Sequence, residues 1–223
     1  MEEAGHRDVE INVIEPLDKL ETGPFTVEPL PVSHSVPDTC SLVIETKYGR
    51  VLHSGDWNLD PNPVIGYKTD AKHFKAAGKK GILAYVGDST NANVDGRSGS
   101  ERDVEKGLAA EFEGCPGRIL VTTFASNVGR LISIARAAAA CGRHTCVVGR
   151  SMHRMVGAAK AVGLLKSINN IVNEDEAQQM SSEHILYLCT GSQGEPRAAL
   201  ARIADDSHPQ ITLEEGDTVI FSS

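Results

Sequence analysis

Residues 118–152 read RILVTTFASNVGRLISIARAAAACGRHTCVVGRSM. Two short apolar runs, RILVTT and HTCVVG, lie on either side of a segment whose apolar residues recur at helical spacing. Apolar runs without polar alternation, separated by helical segments, are typical of parallel strands that helices cover on both faces. Ser126 precedes the helical segment where an N-cap is expected, and Gly142 follows it where a C-cap is expected. The stretch therefore predicts a strand–helix–strand unit of an α/β fold.

The same alternation continues on both sides of this stretch. Further apolar runs lie at 81–87, 184–189 and 218–223, and helical patterns separate them. One of these helical patterns follows HTCVVG, and Ser151 is its expected N-cap. The chain after residue 70 is therefore predicted to form a mainly parallel sheet covered by helices on both faces, with 81–87 as its first strand.

Residues 1–70 have a different pattern, because their short apolar runs are separated by proline, glycine and aspartate. This pattern predicts a β-rich segment, and Tyr48-Gly49 between two of the runs predicts a hairpin turn. Residues 57–70 show no clear periodicity, which indicates a connecting loop. We therefore expect a domain boundary there, with one domain at 1–70 and a second at 71–223.

The net charge of −8 is concentrated at the N-terminal end. Residues 1–70 contain 13 acidic and 5 basic side chains, whereas residues 71–223 contain 17 of each. Residues 114–173 contain no acidic residue, and their basic residues are Arg118, Arg130, Arg136, Arg143, Arg150, Arg154, Lys160 and Lys166. Such a stretch indicates an anionic ligand, because clustered cations attract phosphates and carboxylates repel them. The alternative is that these cations lie on separate, solvated faces.

The five cysteines are odd in number, scattered along the chain and without CxxC spacing. A disulfide framework or a thiolate zinc site is therefore not expected, and this usage of cysteine indicates a cytoplasmic protein. No apolar run approaches the roughly 20 residues that a membrane-spanning helix needs. We therefore expect no membrane as a partner.

Small hydroxyl, amide and glycine residues follow four of the predicted strands. They are Asp88, Ser89, Thr90 and Asn91 after the first strand, Phe124, Ala125, Ser126 and Asn127 after the second, Gly149, Arg150 and Ser151 after the third, and Thr190, Gly191, Ser192, Gln193, Gly194, Glu195 and Pro196 after the fourth. Ligands of parallel sheets bind at the carboxyl ends of the strands, where helix N-termini also point. We therefore predict an edge that binds phosphate or a nucleotide, with Arg130 as a phosphate contact. Any one of these loops taken alone is better explained as a helix cap, and only the four together favour a phosphate-binding edge.

Two residues near the N-terminal end are of the types that bind metal ions. His34 and Asp56 each follow an apolar run, and imidazole and carboxylate groups are ligands for Zn²⁺ and Mn²⁺. A carboxylate can also bridge two ions in a two-metal hydrolase. No HxHxDH, HxxEH or HExxH motif occurs in the chain, so the alternative of an ordinary turn histidine and turn aspartate stays open.

Seven segments occur in an order and at a spacing that match a known family. They are HSVPD (34–38), GDWNLD (55–60), GDSTNA (87–92), TFASN (123–127), GRSM (149–152), TGSQGEP (190–196) and GDTVIFSS (216–223). Through them the chain resembles the ribonuclease J family, in the β-CASP branch of the metallo-β-lactamase superfamily, over nearly its whole length. TGSQGEP and GDSTNA together are quite specific for this branch.

The resemblance implies the C-terminal part of a metallo-β-lactamase fold followed by a β-CASP domain, with 5′-to-3′ exoribonuclease and endoribonuclease activity. By position, it implies that His34 is a metal ligand, that Asp56 is a catalytic ligand bridging two ions, and that Asp88 is the first β-CASP motif. The loops at 124–127 and 190–196 would form walls of the RNA channel. Zinc or manganese is the implied cofactor, RNA the implied partner, and a homo-oligomer the implied assembly of the full-length protein.

The chain also departs from the family's pattern. The HxHxDH motif expected before residue 1 and the glycine- and histidine-containing motifs expected after residue 223 are absent. We therefore expect an internal fragment of a longer enzyme, which is inactive when isolated. Two alternatives stay open, namely a non-catalytic module that binds RNA or a nucleotide, and an unrelated flavodoxin-like domain that binds a small phosphorylated ligand.

Overall fold

The computed structural model describes residues 10–96 and 98–222. Contacts between residues divide the chain into two compact units whose segments alternate along the sequence. The first unit comprises the described residues up to Val32, together with Thr39–Trp57 and Thr69–Asp95. The second unit comprises Ser33–Asp38, Asn58–Lys68 and the described residues from Gly96 onward. No helix in the described ranges combines the length and apolar character that would let it cross a membrane.

The first unit contains one five-stranded sheet and one helix. Its elements are β1 (Leu20–Thr22), β2 (Phe25–Pro31), β3 (Cys40–Thr46), β4 (Gly49–His53), α1 (Ala71–Lys79) and β5 (Ala84–Val86). The strands follow the order β1-β2-β3-β4-β5, with antiparallel pairing up to β4 and parallel pairing between β4 and β5. The predicted hairpin is confirmed, since Thr46 lies opposite Gly49 at the turn. The small core of the first unit is formed by Leu30, Val43 and Ala77.

The run at 81–87 does not open the second sheet, so that prediction is wrong. Its strand, β5, pairs with β4 in the first unit, and the two units therefore do not divide at residue 70. The sequence could not show this, because an apolar run carries no information about which strand it will pair with. The last segment of the first unit, Thr69–Asp95, includes β5 and ends at Asp95.

The second unit contains the predicted parallel sheet. Its elements are α2 (Glu101–Glu113), β6 (Ile119–Thr122), α3 (Val128–Ala140), β7 (His144–Val147), α4 (Arg150–Ala161), β8 (Ile171–Val172), α5 (Glu174–Gln178), β9 (Ile185–Cys189), α6 (Ala199–Ala204) and β10 (Thr218–Phe221). The strands follow the order β10-β6-β9-β7-β8, and every pairing is parallel. The predicted α/β class is therefore confirmed.

Helices cover both faces of this sheet, as predicted. Ile119 and Val121 of β6 pack with residues of α2, α3 and α4, whereas Leu120 packs with residues of α5 and α6. The connections explain this arrangement. The crossovers through α3 and α4 run one way across the strand order, and those through α5 and α6 run the opposite way. Right-handed crossovers in opposite directions place their helices on opposite faces.

The helix ends differ from the predicted caps in two places. The N-cap of α3 is Asn127, not Ser126, and its side-chain oxygen accepts a hydrogen bond from the backbone N–H of Arg130 at 2.8 Å. The N-cap of α4 is Gly149 rather than Ser151. Asparagine reaches the third N–H of its helix as well as serine does, so the sequence did not distinguish the neighbours. Gly142 follows the C-cap of α3 with a φ of 70°, as its predicted role requires.

Candidate functional site

A cavity of about 340 Å³ lies in the second unit, where α3 begins after β6. We call it the β6 pocket. It is lined by Ser33, His34, Ser35, Asn58, Asp60, Pro63, Val64, Ile65, Ser98, Gly99, Glu101, Val104, Asn127, Gly129 and Arg130. Its size and its mixture of apolar wall and convergent polar groups are those of a small-ligand site.

Backbone hydrogen bonds hold three separate segments around this pocket. The N–H of Asn58 donates to the carbonyl of Ser33 at 2.8 Å, and the Ser33 hydroxyl donates to the carbonyl of Asn58 at 2.7 Å. The N–H of Gly129 in α3 donates to the carbonyl of Ser35 at 3.3 Å. These contacts place His34 beside the first turn of α3.

Asp60 fixes the side of the pocket that leads into α2. It is 7% exposed, and its carboxylate accepts hydrogen bonds from the N–H of Asn62 at 2.8 Å and of Glu101 at 2.9 Å. Ser100 caps α2 and donates its hydroxyl to the carbonyl of Asn62 at 3.0 Å. The carboxylate therefore stabilises the positive end of α2. The role of Asp60 in the lining of the pocket is thus structural.

Arg130 is bound to a carboxylate on the same wall. Its Nε and Nη2 donate to Glu101 at 2.7 and 3.1 Å, and its Nη1 donates to the Ser222 hydroxyl at 2.8 Å. The ion pair is largely shielded from solvent, since the two side chains are 12% and 17% exposed. The phosphate role of Arg130 stays a prediction. The negative charge of Glu101 offsets part of the positive charge that Arg130 would present to a phosphate.

The loop after β6 carries the other predicted residues of this edge. Phe124 is 44% exposed, so its ring is accessible to a stacking base. Ser126 is exposed, whereas Asn127 uses its side-chain oxygen to cap α3. The hydroxyls of Thr122 and Thr123 are buried and have no hydrogen-bond partner among the described residues. Buried polar groups normally have a partner, and these two hydroxyls are exceptions within the described residues.

The loop after β9 is folded largely by its own contacts. The N–H of Gln193 donates to the carboxylate of Glu195 at 2.9 Å, and the N–H of Gly194 donates to the carbonyl of Gly191 at 3.2 Å. The Ser192 hydroxyl is buried and has no partner in the described part of the chain. This loop and the loop after β6 follow neighbouring strands of one sheet, so the structure brings these two predicted groups to the same edge.

The loop at Asp88 belongs to the first unit and not to that edge. The carboxylate of Asp88 accepts hydrogen bonds from the N–H and the hydroxyl of Thr90 at 2.8 and 2.6 Å. The N–H of Asp88 donates to the Ser54 hydroxyl at 2.8 Å. Ser89 and Asn91 accept hydrogen bonds through their carbonyls in the turns that follow. Grouping Asp88 with the second sheet was wrong because β5 pairs with β4.

The two predicted metal ligands lie in different units. His34 is half-buried in the β6 pocket, and Asp56 is an exposed residue of the first unit. No three His, Cys, Asp or Glu side chains in residues 10–96 and 98–222 are grouped so that they could hold a metal ion. The described residues therefore do not make a complete metal site, and the roles of His34 and Asp56 stay predictions.

Asp60 and Glu101 were missed as site residues by the sequence interpretation. Glu101 is the first residue of α2, and the pattern Ser100-Glu101 before a helical segment is a start signal that could have located it. Their burial against the β6 pocket had no signal in the sequence, because it depends on the contact between α2 and the segment at 58–65.

The sequence profile described as "Ribonuclease J, beta-CASP domain" matches residues 116–223. A ribonuclease J of Sinorhizobium meliloti is 43% identical over 99% of this chain and 39% of the relative. Those of Thermus thermophilus and Synechocystis are 37% and 39% identical over 100% of this chain, and over 39% and 35% of the relatives. The chain therefore spans less than two-fifths of the length of these relatives.

A solved structure supports the fold. A protein of unknown function from Enterococcus faecalis matches with a TM-score of 0.59 over 95% of this chain and 57% of its own, at 15% sequence identity. At that identity the likeness concerns the fold alone.

Proposed function

We propose that this chain, which belongs to the ribonuclease J family, is part of a metal-dependent ribonuclease that processes and degrades RNA. The observation that carries the proposal is the 43% identity to a ribonuclease J over 99% of the chain. The geometry of the second unit supports it. Exposed Phe124 and the β6 pocket are suited to bases, sugars and phosphates.

The two units receive different roles in this proposal. The first unit, which contains most of the described residues of the expected domain at 1–70, is proposed to correspond to part of the metallo-β-lactamase domain. The second unit corresponds to the β-CASP domain, which the profile match at 116–223 supports. The loops at 124–127 and 190–196 are proposed to contact RNA, and residues 88–91 are proposed to contribute from the first unit.

His34 and Asp56 are proposed as ligands of zinc or manganese, with Asp56 bridging two ions. Two side chains cannot complete a metal centre, since zinc alone needs about four donors. No group of three or more histidine, cysteine, aspartate or glutamate side chains that could hold a metal ion is found among the described residues. Cleavage from the 5′ end and within RNA, a cytoplasmic location and a homo-oligomer are proposed from the family resemblance.

The test uses a longer protein that contains this chain and is as long as the ribonuclease J relatives. We expect it to shorten a 5′-monophosphorylated RNA from the 5′ end in the presence of Mn²⁺ or Zn²⁺. A chelator should stop the reaction, and adding back the metal should restore it. RNA that is bound but stays intact with either metal would contradict the proposal and would favour the alternative of a non-catalytic binding module.

A further inference from the structure

A second and larger cavity lies in the second unit, at the carboxyl ends of β7 and β9. Its volume is about 690 Å³, and we call it the β7–β9 pocket. The first turn of α4 lines one side of it through Gly149, Arg150 and Ser151. Thr190 and Arg197, which follow β9, line the other side. The β7–β9 pocket shares no residue with the β6 pocket.

Its lining is strongly cationic. Four arginines line the cavity, namely Arg150, Arg154, Arg197 and Arg202, together with two histidines, His153 and His208. Glu174 is the only carboxylate in the lining, and its Oε1 lies 3.1 Å from Nε2 of His153. In the described part of the chain, no hydrogen bond or ion pair is found for the guanidinium groups of Arg150, Arg197 and Arg202.

This concentration of positive charge needs an anion to balance it. Cations that converge on one cavity repel each other, and the repulsion is relieved when an anion binds among them. The pKa of His208 lies below its ordinary value because burial and the neighbouring Arg202 disfavour the charged imidazole, while Glu174 acts in the opposite direction. The guanidinium group also matches phosphate geometrically, since it donates two parallel hydrogen bonds to phosphate oxygens.

The backbone contributes a second feature that suits an anion. The N-cap of α4 is Gly149 with a φ of 99°, and no side chain accepts a hydrogen bond from the first turn of this 12-residue helix. The exposed N–H groups and the helix dipole favour negative charge at this end. The pocket also lies where neighbouring strands β7 and β9 send their helices to opposite faces, which is the usual position for ligands in open α/β sheets.

We propose that the β7–β9 pocket is a phosphate-binding site, separate from the β6 pocket, that takes a phosphodiester of a nucleic-acid strand or the phosphate of a free nucleotide. Strand β9 lies between β6 and β7, so the ends of β6 and β7 are roughly 10 Å apart. The site depends on charge and shape and requires neither metal nor cleavage. Its failure is therefore distinguishable from a failure of the ribonuclease proposal.

The experiment measures binding by the 223-residue chain in the absence of metal. The probes are a fluorescent single-stranded RNA with a 5′-hydroxyl group and, separately, adenosine monophosphate. The test variant is Arg197→Gln with Arg202→Gln, and the control is Lys160→Gln with Lys166→Gln. Both variants remove two positive charges from the second unit, but neither lysine lines the pocket. Arg150→Gln serves as a second test variant, and circular dichroism checks the fold of each protein.

We expect the arginine variant to weaken binding of at least one probe by about tenfold or more. The control should change it less than about twofold. If the strand is the ligand, the slope of log affinity against log salt should fall by about 1.4, since two phosphate contacts are lost. A loss confined to adenosine monophosphate would identify the free nucleotide instead. Unchanged binding of both probes in the folded arginine variants, or equal losses in test and control, would overturn the proposal.

Discussion

Arg143 shows how a charged residue can serve the fold alone. It is 4% exposed, and its guanidinium donates to the carbonyls of Gly117 at 2.9 Å, of Ser182 and Ile185 at 3.4 Å, and of Cys115. The group thus ties the loop before β6 to the start of β9. Its hydrogen-bond acceptors are all backbone carbonyl groups.

We expect Arg143→Met to lower the free energy of unfolding by about 3 kcal/mol or more, because it leaves several buried carbonyls without a donor. Urea denaturation of the 223-residue chain measures this. Arg102→Met is the control, since Arg102 is exposed, and it should change stability by less than about 0.5 kcal/mol. A loss below about 1 kcal/mol in Arg143→Met would show that water replaces the guanidinium.

The basic stretch at 114–173 was interpreted from the sequence as one anionic-ligand footprint, and the structure divides it. Arg118 pairs with Asp217 at 2.6 Å, and Arg130 pairs with Glu101 at 2.7 Å. Both acids lie outside the stretch, so counting charges within it could not reveal these pairs. The arginines that line a cavity together come from α4 inside the stretch and from residues 197–202 beyond it.

Asp56 carries the sharpest residue-level prediction for the longer protein. In Asp56→Asn the shape of the side chain is kept, but the anion proposed to hold two dications close together is removed. We expect metal content and RNA cleavage to fall together, while RNA binding is retained. Asp70→Asn is the matched control, because Asp70 caps α1 and asparagine caps equally well. Full metal content with intact cleavage in Asp56→Asn would remove Asp56 from the site.

Strands β7 and β9 contribute two cysteines to the face of the second sheet that α5 and α6 cover. Cys146 and Cys189 are both 0% exposed, and burial raises the pKa of each thiol to about 12. At pH 8 the reactive thiolate is then about a thousandfold rarer than at the ordinary pKa of 9.0. We expect these two cysteines to resist a thiol reagent in the native chain and to react once it is unfolded.

Mass spectrometry after labelling identifies the sites, and half-buried Cys40 and Cys115 are internal controls that should react first. The pH dependence follows from the same pKa shifts. Above pH 9 the unfolded chain can ionise these thiols and the folded chain cannot, so stability present below pH 9 is lost as the pH rises toward 12. Rapid labelling of Cys146 or Cys189 in the native chain would contradict the predicted burial.

Elements differ in how far the sequence determines them. Four of the five strands in the second sheet were predicted, because a continuous apolar run is a local signal. Strand β8 was missed because it has two residues, Ile171 and Val172, which are too few to form a pattern. Strand β5 was recognised as a strand but placed in the wrong sheet, since pairing is decided by distant residues. The same limit explains why Asp88 was grouped with the loops after β6 and β9.

At the scale of the whole molecule, the candidate residues for RNA binding and for catalysis are distributed differently between the two units. The two cavities and the exposed Phe124 belong to the second unit, whereas Asp56 belongs to the first. Binding of RNA therefore has candidate residues within one compact unit of this chain. The candidates for a metal centre are His34 and Asp56, no group of three or more donor side chains is found in the described ranges, and two donors leave most coordination positions to weakly held water.

We therefore expect the isolated 223-residue chain to bind RNA without degrading it. Affinity should fall steeply as salt is raised, because phosphate contacts release counterions, and a 5′-monophosphorylated RNA should keep its length in Mn²⁺ or Zn²⁺ on a denaturing gel. The longer protein at the same molar concentration is the positive control, and its Asp56→Asn variant is the negative one. Processive shortening by the isolated chain, abolished by Asp56→Asn in that chain, would mean that its own residues complete the metal centre. An RNA affinity that does not change with salt would mean that the chain does not recognise phosphates.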